Sequence, residues 1–159
     1  MTTESGEPKF DRDVHCLLGL PMDAVSMNEA VQRVRHAAFT GQRCFISTPN
    51  LNFVMAARGD SGFRDSVLRS DLSLADGMPL VWVAKLLGLP IRERVSGAGL
   101  YEHLLQHPGP PVTVYFFGGP QGAAEAACRQ LNQRGGGLNC VGFDSPGFGS
   151  LEDMSTPEH

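Results

Sequence analysis

Residues 71–99 read DLSLADGMPLVWVAKLLGLPIRERVSGAG, and the order of residue types along this stretch decides the fold. An apolar run, LSLA at 72–75, ends in a lone carboxylate, Asp76. Gly77 follows, and Pro79 suits the first turn of a helix running to Leu87, with Gly88 in position to close it. A strand passing through a carboxylate into a helix is the edge at which open α/β sheets place their ligands. Asp76 is therefore the first candidate for chemistry, and Arg94 follows one short helix later.

The same alternation runs outward in both directions. Upstream, VHCLLGL (14–20) reads as a strand, and Ser26 with Glu29 forms a capping box for a helix over Met27 to Phe39. CFIST (44–48) reads as the next strand, and Pro49 and Asn50 turn it into a helix ending near Ala57. A further helix covers about Gly62 to Arg69. Downstream come a helix from Leu100 to Gln106, the strand VTVYFF (112–117), a helix from Ala123 to Gln133 and the strand LNCVGF (138–143). Strands alternating with helices of this length predict an α/β fold with a Rossmann-like, mostly parallel sheet and helices on both faces. Residues 1–13 read as a flexible leader, 14–149 as one α/β domain, incomplete at its C-terminus, and 150–159 as a tail.

Composition narrows the classes of function. A 159-residue chain with 42% hydrophobic and 19% charged residues suffices for one soluble domain with a core. Its net charge of −4 gives no basic field for nucleic acid, so DNA and RNA are not expected partners. No apolar run is long enough to span a membrane and the start lacks a secretion signal, so a cytoplasmic location is expected. Cys16, Cys44, Cys128 and Cys140 lack C-x-x-C spacing and read as reduced, buried thiols. His103 and His107 stand at i, i+4 but have no third ligand, so they read as a solvated helix end. Asp11 and Asp13 form a D-x-D inside the leader and are not counted as a metal site. No metal and no cofactor are expected.

Three strand ends are expected to converge on one crevice. Thr48 and Asn50 follow one strand, Asp76 and Gly77 the next, Gly118 and Gly119 a third. Asp76 at a cleft mouth could take a proton from a hydroxyl, or could simply make an Asp-Gly turn. Arg94 would match a phosphate or carboxylate, or stand as a surface charge. Thr48 and Asn50 would hydrogen-bond a sugar or base, or only cap a helix. The turn GGPQG, between a strong strand and a helix, could offer backbone N–H groups to a diphosphate or simply pack as a tight turn, and it is neither G-x-G-x-x-G nor a P-loop.

Taken in order, PMDAVSMNEAV, STPNLNFVMAA, LSLADGMPLVWVAKLLGLPIRERVSGAGL and VYFFGGPQGAAEAA resemble the WecG/TagA/CpsF family, glycosyltransferase family 26, over most of residues 14–149. The resemblance implies that the T-P-N and A-D-G segments and the Arg of E-R-x-x-G line the active site, here Thr48, Asn50, Asp76 and Arg94. It also implies the reaction. A hexose, commonly N-acetylmannosamine, moves from a UDP-sugar donor to a polyprenyl-diphosphate-linked sugar acceptor for teichoic acid, capsule or exopolysaccharide. The mechanism expected is an inverting displacement with Asp76 as general base, Arg94 and the Gly118–Gly119 amides offsetting diphosphate charge, and no metal required.

Family members continue past the element seen here as Gly147-Phe148-Gly149 into a segment that completes the site and reaches the membrane. The chain is therefore expected to be a C-terminal truncation of an enzyme in peripheral contact with the inner membrane, its own activity and any homo-oligomer left open. The rivals are a noncatalytic nucleotide-sugar-binding domain, at greater distance a nicotinamide-dependent oxidoreductase, whose dinucleotide glycine spacing is missing, and last a structural or interaction role, which leaves the polar strand ends unexplained.

Overall fold

A computed structural model describes residues 12–147. The architecture is mixed α/β, with six helices and three two-stranded sheets among the described residues. These residues divide into two compact units, one of residues 12–34 and 43–100, the other of residues 35–42 and 101–147. Residues 1–11 of the expected leader, Asp11 among them, together with Phe148, Gly149 and the expected tail at 150–159, lie outside the described residues.

The first unit opens with β1 (Val14–Leu17) and β2 (Leu20–Asp23), an antiparallel pair with Leu17 opposite Leu20. The single strand expected over 14–20 is thus a hairpin. Its two-residue turn puts both Leu18 (φ +53°) and Gly19 (φ +86°) in the left-handed region. Such turns favour Asn or Gly at the first position, so Leu18 gave no turn signal and the apolar run read through it. Leu17, Leu20 and Met22 are fully buried and join Val54, Ala57, Val67, Leu80, Ala84 and Ile91 in the core. Burying one such side chain contributes about 1.5–3 kcal/mol.

Helix α1 (Met27–Thr40) begins with the expected capping box. Ser26 N–H and Oγ both donate to Glu29 Oε2 at 2.7 Å, and Glu29 N–H donates back to Ser26 Oγ at 3.3 Å. The unit continues through β3 (Ile46–Ser47), α2 (Leu51–Gly59), α3 (Ser61–Leu68), β4 (Leu72–Ser73) and α4 (Met78–Leu86) into the start of α5 (Gly97–Leu105). Asp60 caps α3 through the Phe63 N–H, and Phe53 meets Phe63 edge-on, fixing the α2–α3 corner. Strands β3 and β4 pair in parallel, Ile46 with Leu72 and Ser47 with Ser73.

A polar brace that the sequence did not announce holds this pair from below. Arg12 donates from Nε and Nη2 to the two oxygens of Asp23, at 2.9 and 2.7 Å, and from Nη1 to the Ser70 carbonyl at 2.8 Å. The Asp23 carboxylate is buried and also accepts the Ser73 N–H at 2.7 Å. The hydrogen bonds it accepts, and then its charge, hold the Arg12 guanidinium above its ordinary range. Ser73 Oγ donates to the Pro21 carbonyl at 2.6 Å, and Ser47 Oγ donates to Ser73 Oγ at 3.2 Å, so the hairpin and β4 are fastened together.

The second unit contains β5 (Val112–Phe117), α6 (Ala123–Arg134) and β6 (Leu138–Asp144), a βαβ unit with β5 and β6 parallel. The register slips after Val114, so that Tyr115 faces Gly142. A Cβ at Gly142 would lie 2.6 Å from the Tyr115 ring, which is why the slipped position is glycine. Gly136 and Gly137 lie so close to the Leu104 and Leu105 carbonyls that neither position has room for a Cβ.

Two cysteine expectations are corrected here. Cys128 and Cys140 form a disulfide, S–S 2.12 Å, rather than standing as reduced thiols. Cys128 sits on the buried face of α6 with Ala124 and Leu131, while Cys140 points inward from β6, so the helix return brings them to 5.3 Å between Cα atoms. Cys16 is exposed rather than buried, and Cys44 is half-buried. Burial, and the nearby Asp71 charge, push the Cys44 thiol up. No helix among the described residues is long and apolar enough to cross a membrane.

Candidate active site

The site is built where the β3–β4 ladder runs on without strand geometry. Leu74 N–H donates to the Ser47 carbonyl at 2.9 Å, and Asp76 N–H donates to the Pro49 carbonyl at 2.9 Å. The segments TPN and ADG are therefore laced side by side by main-chain bonds beyond the formal strands. A third segment joins them, because Val95 N–H donates to the Ala75 carbonyl at 3.0 Å. That bond brings in Arg94, whose Nε stands 3.7 Å from Asp76 Oδ1.

Each side chain has a local reason for its place. Asn50 is the N-cap of α2, its Oδ1 accepting the Phe53 N–H at 3.1 Å, which leaves its amide N–H groups for other partners. Gly77 precedes α4, and a Cβ placed on it would lie 3.9 Å from Asn50 Cβ, so the first turns of α2 and α4 meet at these two residues. Thr48 is half-buried. The loop carrying Arg94 is anchored on one side by Glu93, whose carboxylate accepts the Met27 N–H, and on the other by buried Val95 and Ser96.

The structure thus brings together Thr48, Asn50, Asp76, Gly77 and Arg94, all within the first unit. Gly118 and Gly119 belong to the second unit, at the turn between β5 and α6, with φ of +93° and +83°. Gly118 N–H donates to the Asp144 carbonyl at 2.9 Å, so this amide is already used. A cavity of about 220 Å³ beside α6 is lined by Gln121, Gly122, Phe143, Ser145 and two carboxylates, Glu125 and Asp144. The carboxylates oppose an incoming diphosphate unless a cation accompanies it.

Gly97 is a site residue that the sequence reading did not single out. A Cβ there would lie 3.3 Å from Thr48 Cγ2, so Thr48 is seated against the first residue of α5. Its signal was in plain view three residues after Arg94, in R-V-S-G. Ser96 Oγ accepts the Gly99 N–H at 3.0 Å and holds that helix start.

The electrostatics suit a base that can be released. The Arg94 and Asp76 side chains are 49% and 28% exposed, and 3.7 Å is too long for a hydrogen bond. A solvated contact of this kind is worth about 0–1 kcal/mol. An anion reaching Arg94 could replace Asp76 as its partner at little cost, leaving the carboxylate to accept a proton. Of the other candidates, His107 Nδ1 accepts the Gly109 N–H at 3.0 Å, and Asp13 Oδ1 lies 2.8 Å from His15 Nε2. Among the described residues no three His, Cys, Asp or Glu side chains cluster to hold a metal ion.

A comparison with protein-family models matches residues 15–158 to the one described as Glycosyl transferase WecG/TagA/CpsF family. No curated protein matches the chain.

Proposed function

Because the chain belongs to the WecG/TagA/CpsF family of glycosyl transferases, we propose that it moves a hexose from a UDP-sugar to a polyprenyl-diphosphate-linked sugar, with inversion at the anomeric carbon. The family gives the coarser statement directly: a glycosyl transferase of cell-surface polysaccharide synthesis. N-acetylmannosamine is the hexose first to be tried, and teichoic acid or an exopolysaccharide the product class. The acceptor places the reaction at the inner face of the membrane.

Asp76 takes the proton of the acceptor hydroxyl while that oxygen attacks the anomeric carbon. The bond from that carbon to the donor phosphate breaks, and UDP departs from the opposite face with the electron pair. Arg94 offsets the charge that builds on the leaving diphosphate and, in turning to it, frees Asp76. Thr48 and Asn50 orient sugar or nucleotide groups, a contribution made through position. The Gly118–Gly119 turn is proposed separately, through the Gly119 N–H since that of Gly118 is taken by Asp144, as a phosphate contact of its own unit.

The observation that carries the reading is the pair of main-chain bonds fixing Asp76 beside Pro49 and Val95, the neighbour of Arg94, beside Ala75, with the Arg94 side chain 3.7 Å from Asp76. The test is transfer from UDP-hexoses to a lipid-diphosphate-linked N-acetylglucosamine by the parent protein and by Asp76→Asn. The reading expects turnover by the parent and retained UDP-sugar binding without turnover in the variant. Equal binding by both with no turnover in either would leave a noncatalytic nucleotide-sugar-binding domain. Tight nicotinamide binding with no response to UDP would sink both.

A further inference from the structure

Helix α4 is apolar on both faces. Leu80, Val81 and Ala84 are buried in the core, as its sequence periodicity requires. On the opposite side Met78, Trp82 and Leu86, spaced i, i+4, i+8, face solvent together with Leu87 at the C-cap. Leu86 is 85% exposed and Trp82 61%. Core packing accounts for the first set of residues and leaves the second unexplained, since soluble proteins rarely expose a continuous apolar stripe without using it.

Charge says what covers it. From Gly77 to Arg92 the sequence GMPLVWVAKLLGLPIR contains no carboxylate and two cations, Lys85 and Arg92, both exposed, in a chain whose net charge is −4. The next carboxylate, Glu93, is engaged by the Met27 N–H. A second copy of this chain meeting the stripe about a two-fold axis would set these cations near one another with no acid on the stripe to pair them. An anionic lipid surface offers hydrocarbon to the leucines and negative headgroups to Lys85 and Arg92, and a tryptophan suits the boundary between the two.

Position supplies the third argument, which rests on the lipid-linked acceptor of the preceding reading. The stripe starts at Met78, two residues after Asp76. On a lipid-linked acceptor only a hexose and a diphosphate separate the reacting hydroxyl from hydrocarbon. The base must therefore stand within that length of the bilayer. We propose that the outer face of α4, from Met78 to Leu87, is the surface on which this protein seats itself on an anionic bilayer, with Trp82 at the interface and Lys85 and Arg92 on the headgroups.

Trp82 is the sole tryptophan of the chain and so reports its own environment. Vesicles of phosphatidylcholine with phosphatidylglycerol should shift its emission to shorter wavelength, and bromine-labelled lipid should quench it. Phosphatidylcholine alone, or high salt, should weaken both effects. Leu86→Asp, on an exposed position that leaves the core intact, should lower vesicle partitioning about tenfold, while Leu86→Met should preserve it. Transfer to an acceptor with a short, water-soluble chain should be unchanged in Leu86→Asp, and transfer to a long-chain acceptor in vesicles should fall with partitioning. A Trp82 shift on concentrating the protein without lipid would assign the stripe to a second copy and overturn the proposal, as would the absence of any shift on anionic vesicles. Failure of the parent protein on both acceptors would overturn the proposed reaction instead, and the Trp82 signal would still decide the docking.

Discussion

The N–H of Asp76 donates to the carbonyl of Pro49 at 2.9 Å, so the carboxylate proposed as the base is positioned by its own main chain. The Asp76 side chain touches only Arg94, at 3.7 Å, among the charged groups of the site. Position and chemistry are therefore separable at this residue. Asp76→Asn should unfold within a few degrees of the parent, because the main-chain bond is kept. Its turnover should fall by about 10²–10⁴-fold, the usual contribution of a positioned general base. Calorimetry alongside a transfer assay reads both. A large drop in melting temperature would make Asp76 a structural residue instead.

Asn50 carries two duties that substitutions can divide. Its Oδ1 caps α2, and its Cβ lies 3.9 Å from where a Gly77 Cβ would stand, at the site edge. Asn50→Ala should cost about 1 kcal/mol through the lost cap. Asn50→Asp keeps a capping oxygen, so stability should hold, yet it replaces a donor by an acceptor charge. If Asn50 holds donor or acceptor groups, the Asp variant should show a raised KM at parental stability. Denaturant titration combined with steady-state kinetics separates the two, and normal kinetics in Asn50→Asp would confine the residue to capping.

The brace beneath the strands should be the costliest polar feature to remove. Asp23→Ala leaves the buried Ser73 N–H without its acceptor and strands the Arg12 guanidinium, itself only partly exposed. A loss of about 2–4 kcal/mol is expected, toward the lower end because Arg12 can turn to water. Asp23→Asn keeps an oxygen for Ser73 and should lose less. Urea unfolding followed by far-UV circular dichroism gives the difference directly.

Much of this was legible in the sequence, where a local signal carries a local meaning. Ser26 and Glu29 stand three apart and bond as capping boxes do; Pro79 and Gly88 bracket α4 within one residue of expectation. The segments T-P-N, A-D-G and E-R-x-x-G, each alone an ordinary turn with a polar group, were picked out as a candidate site by the ordered family resemblance, and main-chain bonds set them side by side. What failed to show was what depends on packing. Leu18 in a left-handed turn looks like strand. The Arg12–Asp23 pair joins residues that are ordinary in their own neighbourhoods. Cys128 and Cys140 become partners only when β6 returns along α6. The α4 stripe escaped notice because alternate faces of one apolar helix are indistinguishable until one of them is buried.

The capping box predicts a pH dependence with a definite sign. The Ser26 N–H and hydroxyl bonds hold the Glu29 carboxyl below its ordinary value of 4.5. A group lowered in the folded state contributes stability above its unfolded pKa and loses it as pH falls through the folded one. Glu29→Gln should therefore be less stable than the parent at pH 7, by a few tenths to about 1 kcal/mol for so exposed a cap. The gap should narrow as pH falls below the ordinary carboxylate range. Thermal melts of both proteins across that range test it, and a gap independent of pH would assign the effect to side-chain shape rather than charge.

The disulfide makes a prediction that thiol chemistry can count. In the folded, oxidised protein only Cys16 and Cys44 have free thiols, and they differ in access: Cys16 is exposed, while Cys44 is half-buried and its thiol is pushed up by burial and by Asp71. Because the thiolate is the reactive form, a maleimide should label Cys16 quickly and Cys44 slowly. Cys128 and Cys140 should be labelled only after reduction. Reduction should leave the second unit folded, since Asn132 holds the Cys140 main chain from both sides: its Oδ1 accepts the Cys140 N–H at 2.8 Å and its Nδ2 donates to the Cys140 carbonyl at 2.9 Å. The loss should be about 2–3 kcal/mol, the loop being short at a separation of 12 residues. Asn132→Ala should then lower stability further in the reduced protein than in the oxidised one, because the bond and the bracket restrain the same strand. Four labels at equal rates before reduction would show that the pair is not formed, and the sequence expectation of free thiols would stand.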